Sequence, residues 1–139
     1  MVTSPPQLRQ HLKQHGQSLT KARRIVFAAL QGAEPQTMQQ LVIACPSIDR
    51  ASVYRVVALF ERLGIVQRLQ IGWKYKLELS DTFSHHHHHL TCLKCGRVIP
   101  FGEDKELENK LSAIASSQNF KMQGHQLEIQ GLCNNCQKS

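Results

Sequence analysis

The sequence predicts an α+β chain, with an N-terminal winged helix-turn-helix domain and a small C-terminal α+β domain that carries a four-cysteine zinc site. Three observations predict it. Short amphipathic helical segments come first and give way to one alternating hairpin. Basic charge is concentrated in that half: residues 1–75 hold ten Lys/Arg against three acids, residues 76–139 hold seven of each, and the whole chain carries +7. Two C-x-x-C pairs, Cys92/Cys95 and Cys133/Cys136, bracket the second half, and zinc accepts four thiolates from two such knuckles. The expected division is a winged-helix domain over 1–80, a hinge over 81–84 and a metal-binding domain over 85–139.

The helices follow in order. Pro5–Pro6 can open a first helix through about Gln14, with Leu8 and Leu12 on one face and Gly16 as its stop. Thr20 is a good N-cap for a second, striped by Ile25, Val26, Ala29 and Leu30 and ended by Gly32. Thr37 and Gln40 form a capping box for a third helix that runs to about Ala44. Cys45, at its end, reads as a buried small hydrophobe. Asp49 caps a fourth helix whose Val53, Val56, Val57, Phe60 and Leu63 share one buried face. Gly64 terminates it. Ile65–Leu69 and Trp73–Leu79 alternate around Gly72 as a two-stranded wing.

In a winged helix-turn-helix the final helix enters the DNA major groove, and the wing touches backbone or the adjacent groove. Arg50, Tyr54, Arg55 and Arg62 lie off the apolar stripe of that helix, and arginine can read guanine or grip phosphate. The bland alternative is an arginine-studded solvated face. A basic half, the helix pattern and a wing occurring together favour double-stranded DNA as partner.

In the second half, His85–Thr91 and Arg97–Phe101 read as strands. Glu103 and Asp104 favour the start of a helix with Leu107, Leu111 and Ile114 on one face. Phe120–Met122 and Gln126–Ile129 are strand-like. Few large apolar residues are available, so zinc is expected to supply folding free energy. No charged, apolar leader precedes the first helix and no apolar run approaches membrane-spanning length. A cytoplasmic, reducing compartment is therefore expected, where paired cysteines favour metal over disulfides. The run His85–His89 is internal, unlike an expression tag. Side chains alternate across a strand, so His86 and His88 face one side and His87 and His89 the other. One strand can then feed two metal sites, while His85 is expected to be exposed and unused.

These residues resemble the ferric uptake regulator family of metal-dependent repressors. The likeness runs through LTKARRIVFAAL (19–30), DRASVYRVVALFERLGIVQRL (49–69), GWKYKLEL (72–79), HHHHHLTCLKCGRVIPF (85–101) and GHQLEIQGLCNNC (124–136). It implies a homodimer that reads an inverted repeat, a C-terminal dimerisation domain, and structural zinc on Cys92, Cys95, Cys133 and Cys136. It makes Tyr54 the family's usual base-contacting tyrosine and Arg55 its usual arginine, and Arg23 matches an arginine that usually faces DNA; Lys21, Arg50 and Ser52 are further candidate DNA contacts. It also implies a second, regulatory divalent metal: Zn²⁺ or Fe²⁺, with Mn²⁺ as a further candidate. One regulatory ligand set matches His86, His88, Glu108 and His125. The other joins His87 and His89 to a carboxylate on the preceding strand, here Glu78.

That second set departs from the family pattern. The family's further histidine falls on Pro35 and its carboxylate after the first knuckle on Pro100, and neither side chain can ligate. The function expected is a metal-responsive DNA-binding regulator that represses metal-uptake or metal-homeostasis genes. The alternatives are a peroxide-sensing regulator of the same family or a zinc-ribbon module that buffers metal or docks a protein without DNA. No membrane partner and no small-molecule substrate are expected. A zinc hydrolase is disfavoured, because neither an H-E-x-x-H helix nor a deaminase signature occurs.

Overall fold

Four helices form where the caps and apolar spacing place them. They are α1 (Pro6–Gln14), α2 (Lys21–Leu30), α3 (Met38–Ala44) and α4 (Arg50–Arg62). Thr20 Oγ1 accepts from Arg23 N, Asp49 Oδ1 accepts from Ser52 N, and the Thr37/Gln40 box closes in both directions. The computed structural model describes residues 6–138; Pro5, expected to open α1, lies outside the described residues. The chain divides into two units, one ending at His85 and one beginning at His86. No described helix is long and apolar enough to cross a membrane.

The first unit has a continuous apolar core. Leu8 and Leu12 of α1, Phe27 and Leu30 of α2, Leu41 of α3, and Val53, Val57 and Phe60 of α4 are buried together with Cys45. Burial also pushes the Cys45 thiol up from its ordinary pKa. Phe27 was not part of the expected stripe, yet it is only 1% exposed. Phe60→Ala is expected to cost ~3–5 kcal/mol. In urea the midpoint should fall at nearly constant slope, and an unchanged midpoint would contradict this core.

Helix α4 ends in a Schellman cap. Gly64 takes φ +72°, its N–H meets Glu61 O, and Ile65 N donates to Phe60 O at 2.8 Å. Ile65 is thereby drawn into the cap, and β1 spans Val66–Ile71 rather than starting at residue 65. Strand β2 (Lys74–Leu79) pairs antiparallel with it, Ile71 opposite Lys74, leaving Gly72 and Trp73 as the turn. Gln36 bridges to Leu77 through two backbone bonds. Arg68 reaches Glu61 of α4 at 2.6 and 3.1 Å and lies over the Tyr75 ring, which ties the wing to the last helix. The segment 81–84, expected as a hinge, packs on this unit: Phe83 meets Phe27 edge-on, and Gln7 Nε2 donates to Thr82 O.

The second unit is a three-stranded sheet in the order β4-β3-β5 with one long helix. Strand β3 (His88–Cys92) is central, antiparallel to β4 (Val98–Phe101) and parallel to β5 (Glu128–Gly131). Helix α5 (Lys105–Ser117) starts at Asp104, whose Oδ1 accepts from Glu106 N and Leu107 N. A short α6 (Asn134–Gln137) follows Cys133.

Three expectations for this unit are corrected. β3 begins at His88, not His85. Phe120–Met122 is not a strand: α5 ends on Asn119 at φ 55°, and Phe120 N donates back to Ala115 O, so that backbone serves the helix end. Ile114 is not on a buried face; it is 64% exposed, and α5 buries no residue fully. Among the described residues, those buried in this unit are His88, His89, Thr91 and Cys92.

Candidate metal centres

The two knuckles converge. Cys92 and Cys95 lie at the end of β3, where Gly96 takes φ +77° and its N–H returns to Cys92 O. Cys133 and Cys136 arrive from β5, with Leu93 N donating to Gly131 O. The four sulfurs lie within 4.8 Å of one another, and Cys95 Sγ and Cys133 Sγ are 3.8 Å apart. A tetrahedron with Zn–S of ~2.3 Å has an edge of ~3.8 Å, so the donor set fits zinc.

Backbone N–H groups of Cys95 and Cys133 pull the Cys92 thiol down to about 6, while the neighbouring thiols, Cys133 foremost, push Cys136 up to about 12. Four adjacent sulfurs cannot all ionise unaided. A divalent ion would let them, releasing protons as it binds.

The second cluster is His86, His88, Glu108 and His125, whose ligand atoms also lie within 4.8 Å of one another. His86 Nε2 and His88 Nε2 lie 3.0 and 2.6 Å from Glu108 Oε1, and His125 Nε2 lies 2.8 Å from Oε2. The alternation expected of the histidine run holds, although His86 precedes the strand: the His86 and His88 rings are 4.7 Å apart, the His87 and His89 rings 4.6 Å.

Burial works to raise the Glu108 carboxyl, but hydrogen bonds from His88 and His86 and the nearby His125 outweigh it and hold the group below its ordinary range. Neither ring nitrogen of His125 makes a hydrogen bond among the described residues; its contact with Glu108 is close but misaligned. Buried polar atoms are rarely left so. A cation between the three rings and the carboxylate would satisfy His125 Nε2, the nitrogen that faces Glu108, so this donor set also fits a metal. Both clusters could hold metal.

The fit extends to the family. A family model described as "Ferric uptake regulator family" matches residues 14–130. The ferric uptake regulation protein of Legionella pneumophila is 36% identical over 135 residues, covering 92% of this chain and 97% of its own. The chain belongs to the ferric uptake regulator family. As a family member it is a metal-responsive transcription regulator, with an α+β fold and metal-binding clusters. The Helicobacter pylori ferric uptake regulator, described as having three functional metal binding sites, superposes with TM-score 0.75 at 25% identity. That match covers 95% of this chain and 90% of the other. The Vibrio cholerae regulator gives TM-score 0.71 at 33% identity, covering 91% and 99%.

The remaining expected residues lie within their own units. Glu78 is buried in β2 of the first unit, where Gln67 Nε2 donates to its Oε1 at 2.8 Å. On α4, Tyr54 is 42% exposed, Arg50 Nη2 donates to its hydroxyl, and Arg55 Nη2 donates to Ser52 Oγ at 3.0 Å. Arg23 Nη1 donates to Ser18 O, and Lys21 is exposed at the start of α2.

An open groove of about 460 Å³ between α2 and α4 is lined by Gln17, Thr20, Arg23, Ser52, Arg55 and Arg62. Arg62 was recognised as off the apolar stripe but not placed with Arg23, because helix-to-helix distance is not legible in one chain. Glu128 was also missed: its Oε1 lies 3.1 Å from His89 Nδ1. Register between β3 and β5 brings them together, and no sequence spacing encodes that.

Proposed function

We propose that the protein binds double-stranded DNA as a homodimer in response to metal and represses metal-uptake or metal-homeostasis genes from an inverted repeat. The observation that carries this reading is the α2–α4 groove. It gathers Arg23, Arg55 and Arg62, and its lining carries no acid. Phosphate contacts supply most of the affinity and base-edge contacts the specificity. Arg23 and Arg62 suit the first role. Tyr54 and Arg55, on the exposed face of the helix, suit the second, with Lys21, Arg50 and Ser52 alongside.

A second copy is favoured by the sheet. Leu90 stands opposite Ile99 on one side and Ile129 on the other, and all three are more than a third exposed. They border an apolar hollow of about 300 Å³. A row of this kind marks an interaction surface.

In this reading zinc on the four cysteines is structural. The regulatory ion, Zn²⁺ or Fe²⁺, binds His86, His88, Glu108 and His125, and a further ion engages the His87/His89 pair. Metal acts by binding the DNA-competent state more tightly than its alternative; reversing a 1:99 population takes a preference of about 10⁴-fold.

The test is selection of bound duplexes from a random library with Zn²⁺, anaerobic Fe²⁺, Mn²⁺, or a chelator mild enough to spare the thiolate zinc. An inverted repeat enriched with one metal alone supports the reading and names the ion. Equal enrichment in every arm removes metal gating, and no enrichment in any arm removes the DNA reading. A Tyr54→Ala, Arg55→Ala double variant is expected to lose the enriched site by about 10-fold or more, since one bidentate base contact is worth ~1–3 kcal/mol.

A further inference from the structure

We propose that Glu128 is a positioning residue for metal binding at the His87/His89 pair: its carboxylate accepts the His89 Nδ1–H and so commits His89 to ligate through Nε2. The inference rests on the reading that this pair holds a metal, and it adds a partner that neither the histidine run nor the C-x-x-C pairs suggest.

Three observations carry it. First, His89 is 1% exposed, and Glu128 Oε1 lies 3.1 Å from its Nδ1. A buried imidazole needs an acceptor for its N–H, and whichever nitrogen is so engaged leaves the other as the donor atom for a metal. Secondly, the sheet puts only two residues beside His89, Pro100 on β4 and Glu128 on β5. Proline has neither a carboxylate nor an N–H to offer, so the polar contact across the sheet at this level is Glu128. Thirdly, Glu108 and Glu128 meet the histidine run differently. Glu108 lies close to the Nε2 atoms of three rings, as a shared ligand does. Glu128 meets one ring at Nδ1, and that ring lies 4.6 Å from His87. Carboxylate–histidine–metal arrangements of this second kind fix the tautomer and the ring orientation.

The test uses the full-length protein with its thiolate zinc in place and its histidine sites stripped. Long-range nitrogen–proton NMR correlations are expected to show His89 as the Nδ1–H tautomer. Glu128→Thr, strand-compatible but too short to reach, and Glu128→Ala should both lose that single tautomer. Glu128→Gln, whose amide oxygen still accepts, should keep it. Co²⁺ titration should then show the His87/His89 equivalent weakened roughly 10–100-fold in the Thr and Ala variants and largely restored in Gln. The equivalent at His86, His88, Glu108 and His125 should not change, and one zinc per chain retained on the knuckles should confirm folding. An unchanged tautomer, or an unchanged affinity in both short variants, overturns the proposal. A His87→Ala, His89→Ala variant that takes up as many equivalents as wild type overturns the metal reading of this pair, and the proposal with it.

Discussion

Removing zinc from the thiolate cluster is expected to unfold the second unit while the first stays folded. The second unit has little else to hold it. Its buried residues are two histidines, a threonine and a cysteine, and α5 buries nothing fully. Zinc binding to a four-thiolate set supplies roughly 10–16 kcal/mol of apparent free energy at neutral pH. That is comparable with the whole stability of a typical domain, about 5–15 kcal/mol. The first unit, with Phe27, Phe60 and four helices around them, does not depend on the cluster. A thiol-reactive mercurial with a chelator, or Cys133→Ser, should therefore remove the strand signal of β3, β4 and β5, leave that of the β1–β2 wing, and expose the chain beyond His85 to protease. The proposed homodimer should dissociate, because the row of Leu90, Ile99 and Ile129 that would hold it exists only while the sheet does. A zinc-free protein that kept its sheet and its dimer would refute this.

Glu108→Ala is expected to abolish metal-dependent DNA binding at metal concentrations that saturate the wild type. Glu108 is the acceptor on which His86 and His88 converge, and His125 faces it at 2.8 Å. Its loss removes the only carboxylate of the set and leaves His88, buried, without that acceptor. Outer-shell partners already cost roughly 10–100-fold in metal affinity, so a direct ligand should cost more. Calorimetry should show that loss while the four-cysteine zinc is retained. Duplex binding should fall to the level of the chelated wild type and recover in large metal excess, since a weakened ligand set shifts the curve without destroying the DNA face. Wild-type DNA affinity in the variant at limiting metal would show that another site does the gating.

Much of this was legible in the chain because the relevant forces are local. Caps need only a side-chain oxygen three residues from a free N–H, so Thr20, Thr37 and Asp49 marked their helices. Alternation along an extended chain paired His86 with His88 and His87 with His89 even though β3 begins only at His88. What was not legible depends on neighbours distant in sequence. The strand pattern at 120–122 lost to a helix cap at Asn119. Arg68, one of the ten basic residues of the first half, is committed to Glu61 and Tyr75 rather than available to a polyanion. Glu128 looked like one more strand residue until β5 lay beside β3.

The wing turn has a practical consequence. Trp73 is the chain's single tryptophan, and at the tip of the hairpin it is 87% exposed with Lys74 Nζ 5.5 Å from its ring. Selective excitation of indole emission therefore reports on one point of the first unit, whereas the thiolate cluster and the Glu108 cluster belong to the second. DNA arriving at the wing should quench or shift that emission without any added label. A change on adding metal alone, before DNA, would be a signal that crossed from one unit to the other, and its dose dependence would trace that communication directly.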